Sequence, residues 1–193
     1  MGTSVNLFSL WRILIWGWMA SEIVIGVATR TRPGSGTVRD RGTLAILWIV
    51  IIAAVSTCEW IADRFTSNMF GGAHWLKPLS DGLMIVGLVV RWTAILTLGK
   101  AFSSNVAIRE SQAMQRSGLY RIVRHPSYLG MLIIFFAIGV HSRNWFALAV
   151  VLLPTTAALL YRIHVEEIAL RQAFGAEYSD YSKSTKRLIP GIY

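Results

Sequence analysis

A chain of 193 residues, 54% hydrophobic and only 15% charged, has room for one domain and too little charge for an ordinary soluble surface. Its formal charge of +9 is carried between apolar runs and not on one continuous basic face, which speaks against nucleic-acid binding and for anionic lipid headgroups. The one cysteine, Cys58, excludes an internal disulfide and reads as a small buried hydrophobe.

The opening residues lack the form of a cleaved leader. No basic segment precedes the first apolar run, and Arg12 falls inside it. Asn6 stands where a myristoylation signal carries Ser or Thr. Three apolar runs follow, at 7–28 (broken by Arg12 and Glu22), 44–62, and 79–99 (broken by Arg91). Each is long enough to cross about 30 Å of hydrocarbon as a helix. Helix is the only choice for such runs, because each backbone polar group must be satisfied within the segment. A fourth apolar region is split: 128–140 and 145–161 flank the polar His141-Ser142-Arg143-Asn144. A tight helical hairpin crossing twice is favoured over a short re-entrant arm, since the second arm can cross and needs a partner.

With five crossings, the segments 29–43, 100–127 and the tail from Arg162 share one side and hold 14 of the 19 Lys and Arg. Arg64, Lys77 and Arg143 fall on the other side, and Arg12 and Arg91 lie in spans. The positive-inside rule then places the amino terminus outside and the carboxyl terminus in the cytoplasm. Glu22 and Arg91 lie in spans that run the same way. At about 1.5 Å per residue their depths agree within roughly 5 Å. Intramembrane charges pair or line polar cavities, so the two are expected to face each other or a polar path between the spans. The alternative is that Arg91 snorkels alone to the surface.

Polar, aromatic and turn-forming residues crowd together in Gly118-Leu119-Tyr120-Arg121-Ile122-Val123-Arg124-His125-Pro126-Ser127-Tyr128-Leu129-Gly130. Pro126 biases His125 away from helix and can itself open one. The N–H groups of such a helix start can hold a carboxylate, and tyrosine faces attract cations. Interfacial anchoring explains Tyr and His-Pro equally well at this point. Downstream, Arg162 and Glu166 are four residues apart and share a helix face, which a plain ion pair would also explain. Glu167 reads as structural. His164 with Glu166 and Glu167 lacks the spacing of a zinc site, so no metal is expected. In Phe174-Gly175-Ala176-Glu177-Tyr178-Ser179-Asp180-Tyr181 the tyrosines read as packing.

The two stretches together resemble the isoprenylcysteine carboxyl methyltransferase family and its phospholipid methyltransferase relatives. The likeness runs over about 105–193. It rests on Gly118-x-Tyr120, Arg124-His125-Pro126, Tyr128-x-Gly130, Arg162-x-x-x-Glu166-Glu167, and Phe174-Gly175-x-Glu177-Tyr178-x-x-Tyr181. It implies S-adenosyl-L-methionine as cofactor, held by Tyr120, His125, Pro126, Ser127, Tyr128 and Glu166, with Arg162 facing the acceptor as the catalytic residue. Where the family usually has His-x-Leu-Val, this chain has Gln112-Ala113-Met114-Gln115. These four are carried over as cofactor-binding through backbone groups. Met131 replaces an aromatic that often follows Tyr-x-Gly.

The expectation is an all-α polytopic membrane helix bundle of about five transmembrane helices with a cytoplasmic C-terminal cofactor site. One methyltransferase domain fills 1–193, with three spans in 1–99 and the catalytic loop, hairpin and tail in 100–193. Its partners are a lipophilic or prenylated acceptor and membrane lipids, and Arg162, Arg91 and Glu22 are the expected acceptor-binding residues. Carboxyl methylation of an isoprenylcysteine-like substrate leads. The alternatives are phospholipid amine methylation, a sterol-reductase-like NADPH enzyme (where Met131 stands in place of the expected Glu), and a non-enzymatic membrane scaffold.

Overall fold

The structure is a computed structural model that describes residues 7–28, 37–38, 42–65, 74–99, 102, 107–108 and 114–193. Six helices carry it: α1 (Leu7–Ala28), α2 (Thr43–Arg64), α3 (Leu76–Leu98), α4 (Pro126–Ser142), α5 (Trp145–Phe174) and α6 (Ala176–Ser184). A 3-10 turn at Gly118–Arg121 precedes α4. The fold is all-α, as expected. Two two-residue strands, β1 (Thr37–Val38) and β2 (Ala107–Ile108), pair antiparallel with Thr37 opposite Ile108. They join the α1–α2 loop to the α3–α4 loop, two of the basic segments assigned to one side of the membrane.

Helices α1, α2, α3 and α5 are long and apolar enough to cross a membrane, whereas α4 has 17 residues. At about 1.5 Å per residue α4 spans roughly 25 Å. Its apolar length is made useful by packing, since it lies against both α3 and α5. Helices α4 and α5 pack as a hairpin, with α5 alone of the two long enough to cross by length, and the turn between them has a local cause. Arg143 adopts the left-handed conformation at φ 56° and ends α4. Asn144 then caps α5, its Oδ1 accepting from the N–H groups of Phe146 (2.9 Å) and Ala147 (3.2 Å). Asn144 Nδ2 donates to Phe65 O at 2.5 Å, tying the end of α2 to the start of α5. Trp60, Phe65, Trp75, Trp145 and Phe146 are exposed around this end, the pattern of an aromatic belt at a membrane edge.

The core is built by Met84, Ile134, Phe135, Ile138, Val151 and Leu159, all fully buried. Large apolar residues such as Ile13, Val27, Ile49, Val89 and Leu153 face outward. In water that surface would be a liability, and in lipid it is the solvated face. The chain is an integral membrane protein.

Helices α3 and α4 meet backbone to backbone. A Cβ on Gly130 would lie 2.7 Å from Arg91 N and 2.8 Å from Gly87 O, and one on Gly87 would lie 3.0 Å from Gly130 O. Small residues at both positions let the two backbones touch, and this brings Arg91 beside the first turn of α4. Helix α1 packs mainly on α3 and α2 mainly on α5, while Trp11 and Trp18 of α1 share the buried core with Leu47, Ile51 and Cys58 of α2.

The last helix runs further than its apolar stretch. The sequence reading ends the span at 161, but α5 continues unbroken to Phe174. The extension lifts Arg162, Glu166 and Glu167 on a rigid rod beyond the apolar segment. Gly175, at φ 52° and ψ −122°, then makes the bend into α6 that a side chain would strain.

Candidate active site

Helix α4 opens with Pro126 at its first position and His125 just before it, at φ −125° and ψ 58°. The approach to α4 is held from outside by the tail. Val123 and Lys186 form a parallel bridge. Arg124 N donates to Lys186 O at 2.8 Å and His125 N to Arg187 O at 3.1 Å. The His125 ring stacks near Tyr128 (centroids 5.7 Å apart, planes at 25°).

One hydrogen-bonded chain joins α2, α4 and α5. Arg162 Nη1 donates to Thr43 Oγ1 at 2.9 Å and Arg162 Nε donates to the Tyr128 hydroxyl at 3.0 Å. That hydroxyl in turn donates to Glu166 Oε2 at 2.8 Å. The expected i, i+4 neighbours are thus linked through a tyrosine from another helix. Glu166 keeps 30% of its side chain exposed, and its Oε2 lies 3.9 Å from His125 Nδ1. Glu167, read from the sequence as structural, is buried and serves as a hub. It accepts from Arg124 Nε (3.1 Å) and from Arg187 Nε and Nη2 (3.2 and 2.9 Å).

Deeper between the helices lies the other charged pair. Arg91 donates to both carboxylate oxygens of Glu22, with Nη2 at 2.5 Å from Oε2, and Arg91 Nη1 reaches Ser127 Oγ at 2.8 Å. Both side chains are buried. The expected pairing of Glu22 with Arg91 is present, and Arg91 does not snorkel to the surface. Through Ser127 the pair is also fastened to the His-Pro-Ser-Tyr turn.

A cleft of about 40 Å³ connects the two networks. Its polar wall is Glu22, Arg91, Tyr128 and Arg162, and its apolar wall is Leu44, Leu47, Trp48, Ile51 and Met131. By volume it holds one or two waters, so it is a narrow passage and not an open cavity.

Other residues expected at the site have other partners. The Tyr120 hydroxyl donates to Ala94 O at 3.4 Å on α3, and Tyr120 O accepts from the Tyr181 hydroxyl at 2.6 Å. Burial, assisted by nearby Glu166, pushes the Tyr120 phenol well above its ordinary range, so it is a neutral donor. Burial also pushes Tyr181 up to about 12. Tyr178 and Tyr181 are buried, as the packing role requires. Gln115 Nε2 donates to Thr97 O at 2.7 Å, anchoring its loop to the end of α3. Met114 is half-buried, while Gln112 and Ala113 lie outside the described residues. Among the described residues no cluster of His, Cys, Asp and Glu could hold a metal.

Sequence reasoning missed three partners. Thr43 reads only as the polar start of an apolar run. Arg124 reads only as the first residue of the Arg-His-Pro motif, and Arg187 sits in a polar tail where nothing in its neighbours distinguishes it. The buried Glu167 was the available signal, because a carboxylate inside a protein requires cations and leaves only nearby arginines to supply them.

A sequence profile of the isoprenylcysteine carboxyl methyltransferase (ICMT) family matches residues 81–172. Protein-S-isoprenylcysteine O-methyltransferase A of Arabidopsis thaliana is 31% identical over 98% of this chain and 96% of its own length. The B protein of the same plant is 27% identical over 89% and 87%. Methanethiol S-methyltransferase 2 of Bradyrhizobium diazoefficiens is 29% identical over 72% of this chain and 52% of its own. The solved structure of a eukaryotic intramembrane Ras methyltransferase, ICMT, superposes with a TM-score of 0.71. It is 24% identical and covers 97% of this chain and 67% of that one, a likeness of fold. The chain is a membrane methyltransferase and belongs to the isoprenylcysteine carboxyl methyltransferase family.

Proposed function

We propose that the protein uses S-adenosyl-L-methionine to methylate the carboxylate of a lipophilic, isoprenylcysteine-like acceptor at the inner membrane edge. The observation that carries this reading is the chain Glu166–Tyr128–Arg162, which runs from the part-exposed Glu166, beside the buried His125 turn, into the cleft. Relatives of near-equal length carry the name isoprenylcysteine O-methyltransferase, which supports the acceptor class.

The residues at the polar end suit the cofactor. Glu166 offers a part-exposed carboxylate to an amino group or ribose hydroxyls. His125 and Tyr128 offer stacked faces, and Pro126 and Ser127 begin a helix whose N–H groups favour an anionic group. Tyr120, bonded to Ala94 O, and Gln115, bonded to Thr97 O, support this end from the α3 side, and the four residues 112–115 keep the backbone role that the resemblance gives them. When bound, the cofactor supplies a methyl group made electrophilic by its sulfonium. Arg162 holds an acceptor carboxylate by charge-assisted hydrogen bonds, the Tyr128 hydroxyl spaces Arg162 from Glu166, and the apolar wall excludes water. Positioning of this kind supplies most of the rate in such a transfer. The acceptor's chain reaches the cleft from the bilayer along its α1 and α2 lining, past Gly26, Leu44 and Trp48, and meets Glu22 and Arg91 there.

Titration calorimetry on the detergent-solubilised protein should show binding of S-adenosylhomocysteine and none of NADPH. Glu166→Ala should weaken that binding by tenfold or more, about 1.4 kcal/mol. Binding of NADPH alone would replace the reading with a reductase, and binding of neither would point to a scaffold.

The basic side is assigned to the cytoplasm, with the start of α1 on the opposite side. The β1–β2 pairing supports this, because it holds two of the three basic segments together. A reporter fused after Tyr193 should be active only on the cytoplasmic side; activity on the far side would part the site from its supply of cofactor.

A further inference from the structure

Glu167 carries no role in the reading above, although it is the most heavily partnered carboxylate among the described residues. It is 3% exposed, and three guanidiniums surround it: Arg124, Arg187 and, at 3.4 Å, Arg171. Its Oε1 also lies 3.4 Å from His125 Nε2, which has no complete hydrogen bond of its own. A buried carboxylate needs compensating charge, but one arginine would serve. Here the partners come from three separate places: Arg124 from the turn before α4, Arg171 one turn along α5, and Arg187 from the far tail.

Arg187 differs from the other two because it acts twice. Its guanidinium makes two bonds to Glu167, at 3.2 and 2.9 Å, while its backbone carbonyl accepts from His125 N at 3.1 Å. One tail residue therefore fixes both the backbone of His125 and the carboxylate facing the His125 ring. Its bond to Glu167 holds its own charge even more firmly than an ordinary arginine's. Arg124 completes the clamp: its backbone N–H is taken by Lys186 O and its Nη1 donates to Ser182 O at 2.9 Å. Glu167 is also the immediate neighbour of Glu166, so any rotation of this part of α5 would move Glu166 away from Tyr128.

We propose that Arg187 and Glu167 are a positioning pair for the donor site, through which the carboxyl-terminal tail sets the placement of His125 and Glu166. This rests on the reading that His125 and Glu166 hold the donor. The pair touches neither donor nor acceptor and acts through those two residues. A bidentate guanidinium–carboxylate contact fixes angle as well as distance, whereas lysine would supply the charge without the fixed geometry.

The test uses the full chain in nanodiscs. Arg187→Gln and Glu167→Gln should each raise the dissociation constant for S-adenosylhomocysteine by about tenfold, the scale of one charged hydrogen bond. The KM for a prenylcysteine acceptor should stay within about twofold. The double variant should be no weaker than the weaker single variant, as expected for residues acting as one unit. Arg187→Lys should recover only part of the loss. If the single variants lower the unfolding midpoint yet leave donor affinity within twofold, the pair is a structural salt bridge and the proposal fails. An equal rise in acceptor KM would overturn it as well, since the effect would then be a general loosening. A second readout separates this from the donor reading. The chain has 4 histidines, so ring resonances in nitrogen-15-histidine-labelled protein can be assigned by single substitutions. His125 alone should shift in Arg187→Gln, with no ligand present. An unmoved His125 resonance sinks the positioning role even if the donor is bound as proposed, whereas a shifted one in a protein that fails to bind S-adenosylhomocysteine sinks only the donor reading.

Discussion

Arg162→Ala should lower turnover by about a hundredfold or more, the usual cost of removing a placed electrostatic contact, while S-adenosylhomocysteine binds nearly as before. The division of labour follows from charge. A guanidinium beside a sulfonium would repel it, and a carboxylate beside an acidic acceptor would repel that. Arg162 therefore belongs on the acceptor side and Glu166 on the donor side. The structure adds the element that keeps them apart, a tyrosine hydroxyl that accepts from one and donates to the other. Tyr128→Phe is the informative companion. Without the hydroxyl, Arg162 and Glu166 are free to pair directly, and both donor affinity and turnover should fall. Steady-state rates with an acidic acceptor, together with calorimetry, measure both. Full turnover in Arg162→Ala would make an amine-bearing lipid the better acceptor, and equal losses of donor affinity in Arg162→Ala and Glu166→Ala would reduce the pair to a support for the pocket.

The second large effect is on stability. Arg91→Ala or Glu22→Ala alone leaves a buried charge without its partner, which costs about 3–5 kcal/mol in protein interiors. Removing both should cost clearly less than the sum. Thermal unfolding in detergent, arranged as a double-mutant cycle, reads the coupling directly. Arg91→Ala carries an additional loss, because its Nη1 also holds Ser127 Oγ at the start of α4. Donor affinity should therefore fall in that variant and change little in Glu22→Ala. Additive stability losses would mean that the two charges do not hold each other.

How much of this was legible depended on the range of the interactions. The spans were visible because hydrophobic length is local, and the hairpin because His141-Ser142-Arg143-Asn144 interrupts an apolar run. The matching depth of Glu22 and Arg91 was legible from residue rise, whereas their direct contact was one of the arrangements that depth left open. The resemblance marked Tyr128 and Glu166 but not the bond between them, since a contact across 38 positions leaves no periodic trace. Thr43, which is 119 positions from its partner Arg162, was invisible for the same reason. That helix continues under Arg162 and Glu166 was legible from their spacing, but its end at Phe174 was not, because hydropathy reports where lipid stops and not where a helix stops. Residues 162–174 stay helical through packing of Ile163 and Ala169, which are buried, and not through apolar composition.

On the proposed acceptor reading, the contact of Gly87 with Gly130 also decides where this enzyme can change its choice of acceptor. No methyl group can be added to either residue without prising α3 from α4, and with them Arg91 from Ser127, so that wall of the cleft is closed to variation. On the opposite wall, Leu47 and Ile51 belong to the buried core, whereas Leu44 and Trp48 are only half-buried. Those two side chains can change in size at the least cost to the core. A library aimed at longer or shorter acceptors should spend its diversity on these two positions, beginning with Trp48, whose ring is the larger.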